Sequence, residues 1–420
     1  MKRSLRFCMI STFYPPYSYG GDGIFVYHLS NALARLGNSV DVIHCLDSYH
    51  ALGGKVCENP YPNHPNVTVH SLKSPYGFLS PLATQQTGHP FFKAARIKAI
   101  LNNGFDVIHY HNISLVGGPA VVKLGQGIKL YTTHEYWLVC PMHLLFRFNK
   151  SECTRRYCLP CSLSYRRIPQ LWRYSGLLKQ IEKHIDMFIA PSHFCVKKHR
   201  EMGFNAPMAH IPNFVPLPDG TFSNILQNTP SEERRPYFLY VGRLEKIKGL
   251  QTIIPLFQRY PKAELRIVGK GNYESDLKKL AKGSSNIRFL GYQHGQALGK
   301  LYQKAIAVII PSICFEISSL VIPEAFTHHT PVIAKKRGGM PETIEKSGAG
   351  ILFEDEFDLM RAMNALIEKP ALRHDLGECG HRAYLRNWSA QAYLKKYFEL
   401  IENISNERSK DGFNQSEESL

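Results

Sequence analysis

At 420 residues, 44% hydrophobic and 20% charged, the chain is too long for one ordinary core and too apolar to be disordered outside its ends, so two globular domains of about 200 residues each are expected. Its net charge of +17 is uneven, because residues 147–200 hold twelve Lys or Arg against three Asp or Glu. Such a face attracts phosphates, anionic lipid headgroups or acidic substrates, while the lack of a zinc-finger, RNP or basic-zipper pattern sets nucleic acid aside as a partner.

The chain opens with MKRSLRFCMIST, but too few apolar residues precede Tyr14-Pro15-Pro16 for a signal sequence. No run approaches the roughly eighteen apolar residues of a membrane span. A cytoplasmic protein is expected, able to rest on the inner face of a membrane, with its ten Cys mostly reduced thiols.

Residues 5–13, LRFCMISTF, read as the first strand, and the loop YPPYSYGGDG follows. Phe25, Leu29, Leu33 and Leu36 then fall at helical spacing, Gly37 can close that helix, and VDVIHC follows as a strand. This unit opens a doubly wound sheet. Gly20, Gly21 and Gly23 do not match the dinucleotide fingerprint, and no acidic residue follows where a ribose needs one, so a nicotinamide cofactor is not expected. The glycines either let backbone approach a ligand closely or make a flexible turn.

Further strands are expected at 67–72, 106–112, 129–135 and 187–192, which makes the first domain α/β. His109, His111 and His134 end strands and should stand at the crevice edge rather than mid-core. His134 is set apart by the Thr pair before it and by Glu135-Tyr136-Trp137 after it. Over 137–173 the α/β rhythm stops. This insertion holds Cys140, Cys153, Cys158 and Cys161, spaced x12, x4 and x2. Such spacing can close a tetrahedral thiolate site for structural zinc, and a small insertion with little core gains stability from a metal. Plain reduced cysteines are the alternative, with an iron–sulfur cluster behind both.

Residues 213–236 are rich in Pro, Ser, Asn and Asp and read as an interdomain linker. The rhythm restarts with YFLYVG as a strand, RLEKIKG as a loop, and a helix carrying Leu250, Ile253, Ile254 and Phe257. ELRIVG, NIRFLGY, AVIIPS, PVIAKK and ILF continue as strands. Helices fill the chain to about Asn403, and the polar tail beyond is expected to be loose.

Within this second domain, PSICFEISSLVIPEAF (311–326) follows a buried-looking strand. It puts Glu316 on a loop at the strand's carboxyl end and Glu324 on a helix expected from about Ser319. That edge of an open α/β sheet faces the ligand crevice, where a helix amino terminus favours anions and a carboxylate accepts hydrogen bonds from sugar hydroxyls. Arg243 and Lys248, on the loop after the domain's first strand, should converge on the same edge and face both glutamates. Fixed cations there can stabilise a diphosphate leaving group without a metal. Lys335, Lys336 and Arg337 precede Gly338-Gly339, a turn whose backbone can also approach phosphate or sugar. Taken singly, each of these patterns also suits an ordinary basic or solvated surface.

Together, YPPYSYGGDG with its helix, TTHEYWLVCP, VGRLEKIKG, Glu316 with Glu324, and GGMPE, in this order, resemble the GT-B glycosyltransferases, close to the retaining enzymes of glycosyltransferase family 4. The cysteine insertion is similar to that of a cysteine-rich subset of the family. The resemblance implies an α/β fold of two Rossmann-like, doubly wound domains facing each other across a cleft. The first would span 1–212, the second 237–396. Trp388 would mark the crossing, the segment from about Tyr397 would return to the first domain, and 404–420 would be a flexible tail.

For the site, the resemblance implies that Arg243 and Lys248 bind the donor diphosphate, that Glu316 contacts the transferred sugar, and that Glu324 contacts the ribose. Ser318, Ser319, Leu320, Gly338 and Gly339 would complete the donor site. His134 would lie near the anomeric carbon, and Gly20 and Gly21 would flank acceptor and phosphate. Configuration would be retained by front-face attack, with no protein nucleophile and no cofactor needed for the chemistry. The partners would be a UDP- or GDP-sugar, a glycan or polyprenyl-diphosphate-linked acceptor, and an anionic membrane surface. Many relatives have Phe-Gly after the first Glu, where this chain has Ile317-Ser318-Ser319-Leu320, so its sugar choice can differ. The rival expectations are a catalytically silent sugar-nucleotide-binding partner and a GT-B epimerase or hydrolase.

Overall fold

Continuous apolar runs become parallel strands covered on both faces. In the computed structural model, which describes residues 4–54, 61–218 and 235–417, with side chains as far as residue 410, such runs build two separate sheets. The first unit takes the chain up to Asn213 and again from Tyr393. Its strands are β1 (Arg6–Ile10), β2 (Ser39–Cys45), β3 (Val67–Leu72), β4 (Val107–Tyr110), β5 (Ile128–Thr132), the hairpin β6 (Phe146–Arg147) and β7 (Ser151–Glu152), β8 (Met187–Ala190) and β9 (Met208–His210). Seven of them form one parallel sheet in the order β3-β2-β1-β4-β5-β8-β9. β1 lies inside the sheet, beside the central β4, and Phe7, Cys8, Met9 and Ile10 are wholly buried.

The second unit, Phe214–Ala392, holds β10 (Tyr237–Val241), β11 (Glu264–Val268), β12 (Ile287–Gly291), β13 (Val308–Ile310), β14 (Val332–Lys335) and β15 (Gly350–Phe353). All are parallel, in the order β12-β11-β10-β13-β14-β15. Alternate residues of β10 serve two cores. Phe238 and Tyr240 pack with Ile253, Ile254 and Phe257, while Tyr237 and Leu239 pack with Ile322, Phe326 and Tyr384. Each apolar side chain buried in this way contributes about 1.5–3 kcal/mol. In both units strand order reverses beside the first strand, so loops leaving neighbouring carboxyl ends diverge and open a crevice.

Several expectations need correction. Phe214 and Val215 are buried, and Val215 is bonded through its N–H to Trp388 O (3.1 Å) and through its carbonyl from Tyr384 Oη (3.1 Å). The start of the expected linker is therefore core of the second unit, and residues 219–234 lie outside the described residues. The chain changes unit at Tyr393, one turn before Tyr397. The tail expected to be loose from 404 is helical, because one helix runs Ala390–Glu417. Tyr393, Leu394, Tyr397, Ile401 and Ile404 form its buried stripe, and Arg408 forks onto both oxygens of Asp186 at 2.7 Å. Once such a helix is nucleated, each added residue gains a backbone bond whatever its polarity. His109 is not at the crevice edge. It is wholly buried within β4, bonded to Thr132 Oγ1 (2.8 Å) and Tyr397 Oη (3.0 Å).

Candidate active site

Three loops of the second unit meet at Glu316. The first leaves β10 and the second leaves β13, its neighbour across the strand-order reversal. Gly249, with φ +79, lets these two touch, since a Cβ there would collide with the carbonyl of Pro311. The Ile313 N–H then donates to Ile247 O at 2.9 Å. The third loop follows β14. Gly338, with φ +62, lies so close to the Glu316 backbone that a Cβ would collide with it, and the Gly339 N–H donates to Glu316 O at 2.7 Å. Glu316 is therefore fixed by backbone on two sides.

Its carboxylate is fixed as firmly. Lys248 Nζ lies 2.6 Å from Glu316 Oε1, and Ser312 Oγ donates to the same oxygen at 2.7 Å. Burial works against both charges, but each outweighs it for the other. Glu316 is held below the ordinary carboxylate value by Lys248 and Ser312, and Lys248 is held above its own by Glu316. Both remain charged at neutral pH. The Cys314 thiol beside them is pushed up to about 12 by burial and by the Glu316 charge, and it stays protonated.

The expectation that Arg243 and Lys248 together face both glutamates is met only for Lys248 and Glu316. Arg243, about half exposed, pairs directly with Glu245 Oε1 at 2.8 Å, and its charge reaches Glu316 as the weakest of the named influences. Among the described residues, no cation pairs with Glu324. It accepts a hydrogen bond from Tyr302 Oη at 2.8 Å, and burial raises its carboxyl to about 7 against the opposing effect of that bond. The helix carrying it runs Val321–Thr327, two residues later than expected. Ser319 and Leu320 instead supply the carbonyls that accept from Ile322 and Glu324 N–H, and Ser318 stands partly exposed on the preceding loop. Lys335 lies over the Phe353 ring at 5.6 Å, and the exposed Lys336 pairs with Glu354 Oε1 at 2.8 Å.

In the first unit, Gly20 precedes the helix Gly21–Arg35, which begins at Gly21. It is Gly23 that packing requires to be glycine, since a Cβ would collide with Ser18. Asp22 Oδ2 accepts from Asn112 Nδ2 at 3.1 Å. His134, partly exposed, shares a hydrogen bond with His111 (Nε2 to Nδ1, 2.9 Å) and receives Asn213 Nδ2 at 3.5 Å. Burial lowers His134 to about 4 although Asp22 pulls the other way, so the imidazole is neutral at physiological pH. Tyr302, Ser312 and Glu245 carry no readable signal in the sequence, except that Glu245 follows Arg243 by two residues. Cys140, Cys153, Cys158 and Cys161 all carry free thiols.

Residues 222–383 match the family described as glycosyl transferases group 1, and residues 19–218 match glycosyltransferase family 4. The D-inositol 3-phosphate glycosyltransferase of Corynebacterium jeikeium is 31% identical over 415 residues, 91% of this chain and 92% of that protein. Sulfoquinovosyl transferase SQD2 of Arabidopsis thaliana is 29% identical over 152 residues, and the chain spans only 29% of that relative's length. Among solved structures, Anabaena HepE in complex with UDP-glucose superposes with a TM-score of 0.65 at 16% identity, covering 95% of this chain and 100% of that one, a likeness of fold.

Proposed function

Because the chain belongs to the group 1 glycosyltransferases, we propose that it moves a sugar from a UDP- or GDP-sugar to a hydroxyl of a glycan or lipid-linked acceptor, with retained configuration. The observation that carries this is the Lys248–Glu316 pair, held at 2.6 Å where three loops meet beside the strand-order reversal. A charged carboxylate fixed there suits hydrogen bonds from sugar hydroxyls, and a fixed ammonium suits a diphosphate. In the transfer, the bond from the anomeric carbon to the β-phosphate oxygen breaks and the acceptor oxygen bonds the same face. The acceptor's proton passes to the departing phosphate. Lys248, with Arg243, offsets the charge growing on that phosphate. Glu324 holds the ribose. The UDP-glucose in the HepE structure favours a uridine donor.

The test is a thermal-shift panel of UDP, GDP, ADP and their sugar conjugates, followed by product analysis with and without acceptor. One nucleotide should raise the melting temperature, and its sugar should appear only on acceptor. No shift with any of them would overturn the proposal. Turnover without acceptor would make the protein an epimerase or hydrolase.

An anionic membrane surface as the acceptor's setting is supported by the distribution of exposed apolar side chains. Of twenty exposed large hydrophobics among the described residues, eleven lie in 76–92 and 157–174. Trp172 Nε1 ties these stretches together by donating to Gln85 O at 2.8 Å, and the exposed Arg166 and Arg167 stand among them. No helix of the described residues is long and apolar enough to cross a membrane. Reversing both charges, Arg166→Glu with Arg167→Glu, should weaken binding to phosphatidylglycerol vesicles at least about thirtyfold, at about 1 kcal/mol for each of the two cations lost and with the added carboxylates repelled besides. Phosphatidylcholine vesicles should not distinguish the variants, and undiminished binding to the anionic ones would remove the membrane from the proposal.

A further inference from the structure

The insertion after His134 has little to hold it together by itself. Its hairpin pairs two residues with two, and its helix, Cys158–Ser164, is seven residues long; neither is stable alone in water. Yet its turns are set around four cysteines. Cys140 closes a turn, donating its N–H to Tyr136 O at 2.7 Å and accepting from His143 N–H at 3.0 Å. Cys153 leaves β7 with its N–H on Leu145 O at 2.8 Å. Cys158 and Cys161 sit one helical turn apart, on the same face. The hairpin bends over them through Phe148 and Asn149, both left-handed (φ 54 and 56). The Phe148 N–H donates to Cys161 Sγ at 3.3 Å. Tyr165 Oη, one turn beyond Cys161, donates to Phe146 O, so two contacts hold the hairpin against the helix that carries Cys158 and Cys161.

A second observation is Arg173. Its guanidinium is stacked near the rings of Trp172 and Trp137, at 4.9 and 5.4 Å, and its Nε donates to Gln170 Oε1 at 2.6 Å. Its Nη2 is buried with no hydrogen-bond partner. The groups that act on its charge are, in order after burial, Cys140 and Cys158, then Tyr131 and Glu135. A buried cation needs a nearby anion; four neutral thiols do not provide one, and Glu135, the one carboxylate among these groups, is already held by His143 Nδ1 at 2.7 Å.

We propose that Cys140, Cys153, Cys158 and Cys161 bind one zinc ion as a tetrathiolate, and that Arg173 compensates the charge of that cluster. Binding exchanges four thiol protons for one divalent cation. The product carries a net charge of −2, which the guanidinium partly neutralises, and the unpartnered Nη2–H gains a sulfur to point at. No three of the sulfurs lie mutually within 4.8 Å, so the ion draws them in, to about 2.3 Å from itself, and closes the hairpin onto the helix. The site's work is structural. It fixes the segment that leaves His134 and returns through Trp172, and its loss loosens that segment.

The experiment uses the full chain purified without chelator. Elemental analysis should find about one zinc per chain, released as a mercurial titrates the thiols. Replacement by cobalt should give thiolate-to-metal charge-transfer bands and the visible bands of a tetrahedral site, a readout that needs no variant. Arg173→Gln should lower zinc affinity at least about tenfold while leaving the cobalt spectrum tetrahedral. Cys161→Ser should abolish the four-sulfur spectrum. Wild-type chain that neither contains nor takes up zinc or cobalt overturns the proposal. So do cobalt bands without thiolate character, or disulfides among these four residues after reducing purification.

Discussion

Lys248→Met lowers kcat/KM for the nucleotide-sugar donor by about 10²- to 10³-fold, the usual cost of losing one fixed group that meets developing charge. It also destabilises the protein, because Glu316 Oε1 keeps only Ser312 as a partner. That cost falls below the roughly 3–5 kcal/mol of a fully buried pair broken on one side, since the two side chains retain 22% and 13% exposure. The double variant Lys248→Met with Glu316→Gln separates the two effects. Removing both charges relieves the stranded carboxylate, so stability in urea returns toward wild type, while activity stays lost. Recovery of activity along with stability would mean that the pair serves the fold alone, and the donor assignment would fail.

Glu324→Gln gives the second large effect, and it depends on pH. Burial raises the Glu324 carboxyl from 4.5 to about 7, so the folded state holds a proton that the unfolded chain releases at lower pH. Its favourable contribution is present below about pH 4.5 and is lost as pH rises through 7. At pH 8 the wild type carries a buried, uncompensated charge that the amide avoids while still accepting from Tyr302 Oη. The variant should therefore melt higher at pH 8, by at most about 3 kcal/mol of stability, and its advantage should shrink toward zero near pH 5. Nucleotide binding should move the opposite way. Ribose hydroxyls favour the carboxylate, so wild-type affinity should rise up to about tenfold between pH 6 and pH 8. The variant should bind about tenfold more weakly at pH 8 with a flat profile. A flat wild-type profile, measured by calorimetry, would remove Glu324 from the ribose.

The contrast between these two glutamates shows what was legible in the sequence. Every parallel strand with an unbroken apolar run was, because burial on both faces demands one, as in the AVII that carries the three-residue β13. β6 and β7, of two residues each, are too short to show a period, and β9, Met208–His210, has no such run. Convergence of the loops after β10 and β13 followed from topology, and Lys248 does meet Glu316 across 68 residues. Topology does not specify which side chain reaches which, however. Arg243 turned to Glu245, and Glu324 found Tyr302, a hydroxyl 22 residues earlier on another helix. His109 looked like a strand end, yet it is buried in β4 by a tyrosine far down the chain. A polar composition concealed the last turns of the final helix, whose stripe of apolar residues ends well before the helix itself does.

That tyrosine also affects how the protein is made. Tyr397 Oη reaches His109 across 288 residues, and Tyr393 packs at 5.4 Å against Phe25. A ribosome adding about 5–20 residues per second needs roughly a quarter-minute to a minute to travel from the histidine to its partner. The second unit, continuous in sequence, ends at Ala392, just before that partner. The first unit must wait with a buried imidazole and a sheet face uncovered, exposed to chaperones and proteases. The half of the protein that is synthesised first is therefore closed only when nearly the whole chain has been made.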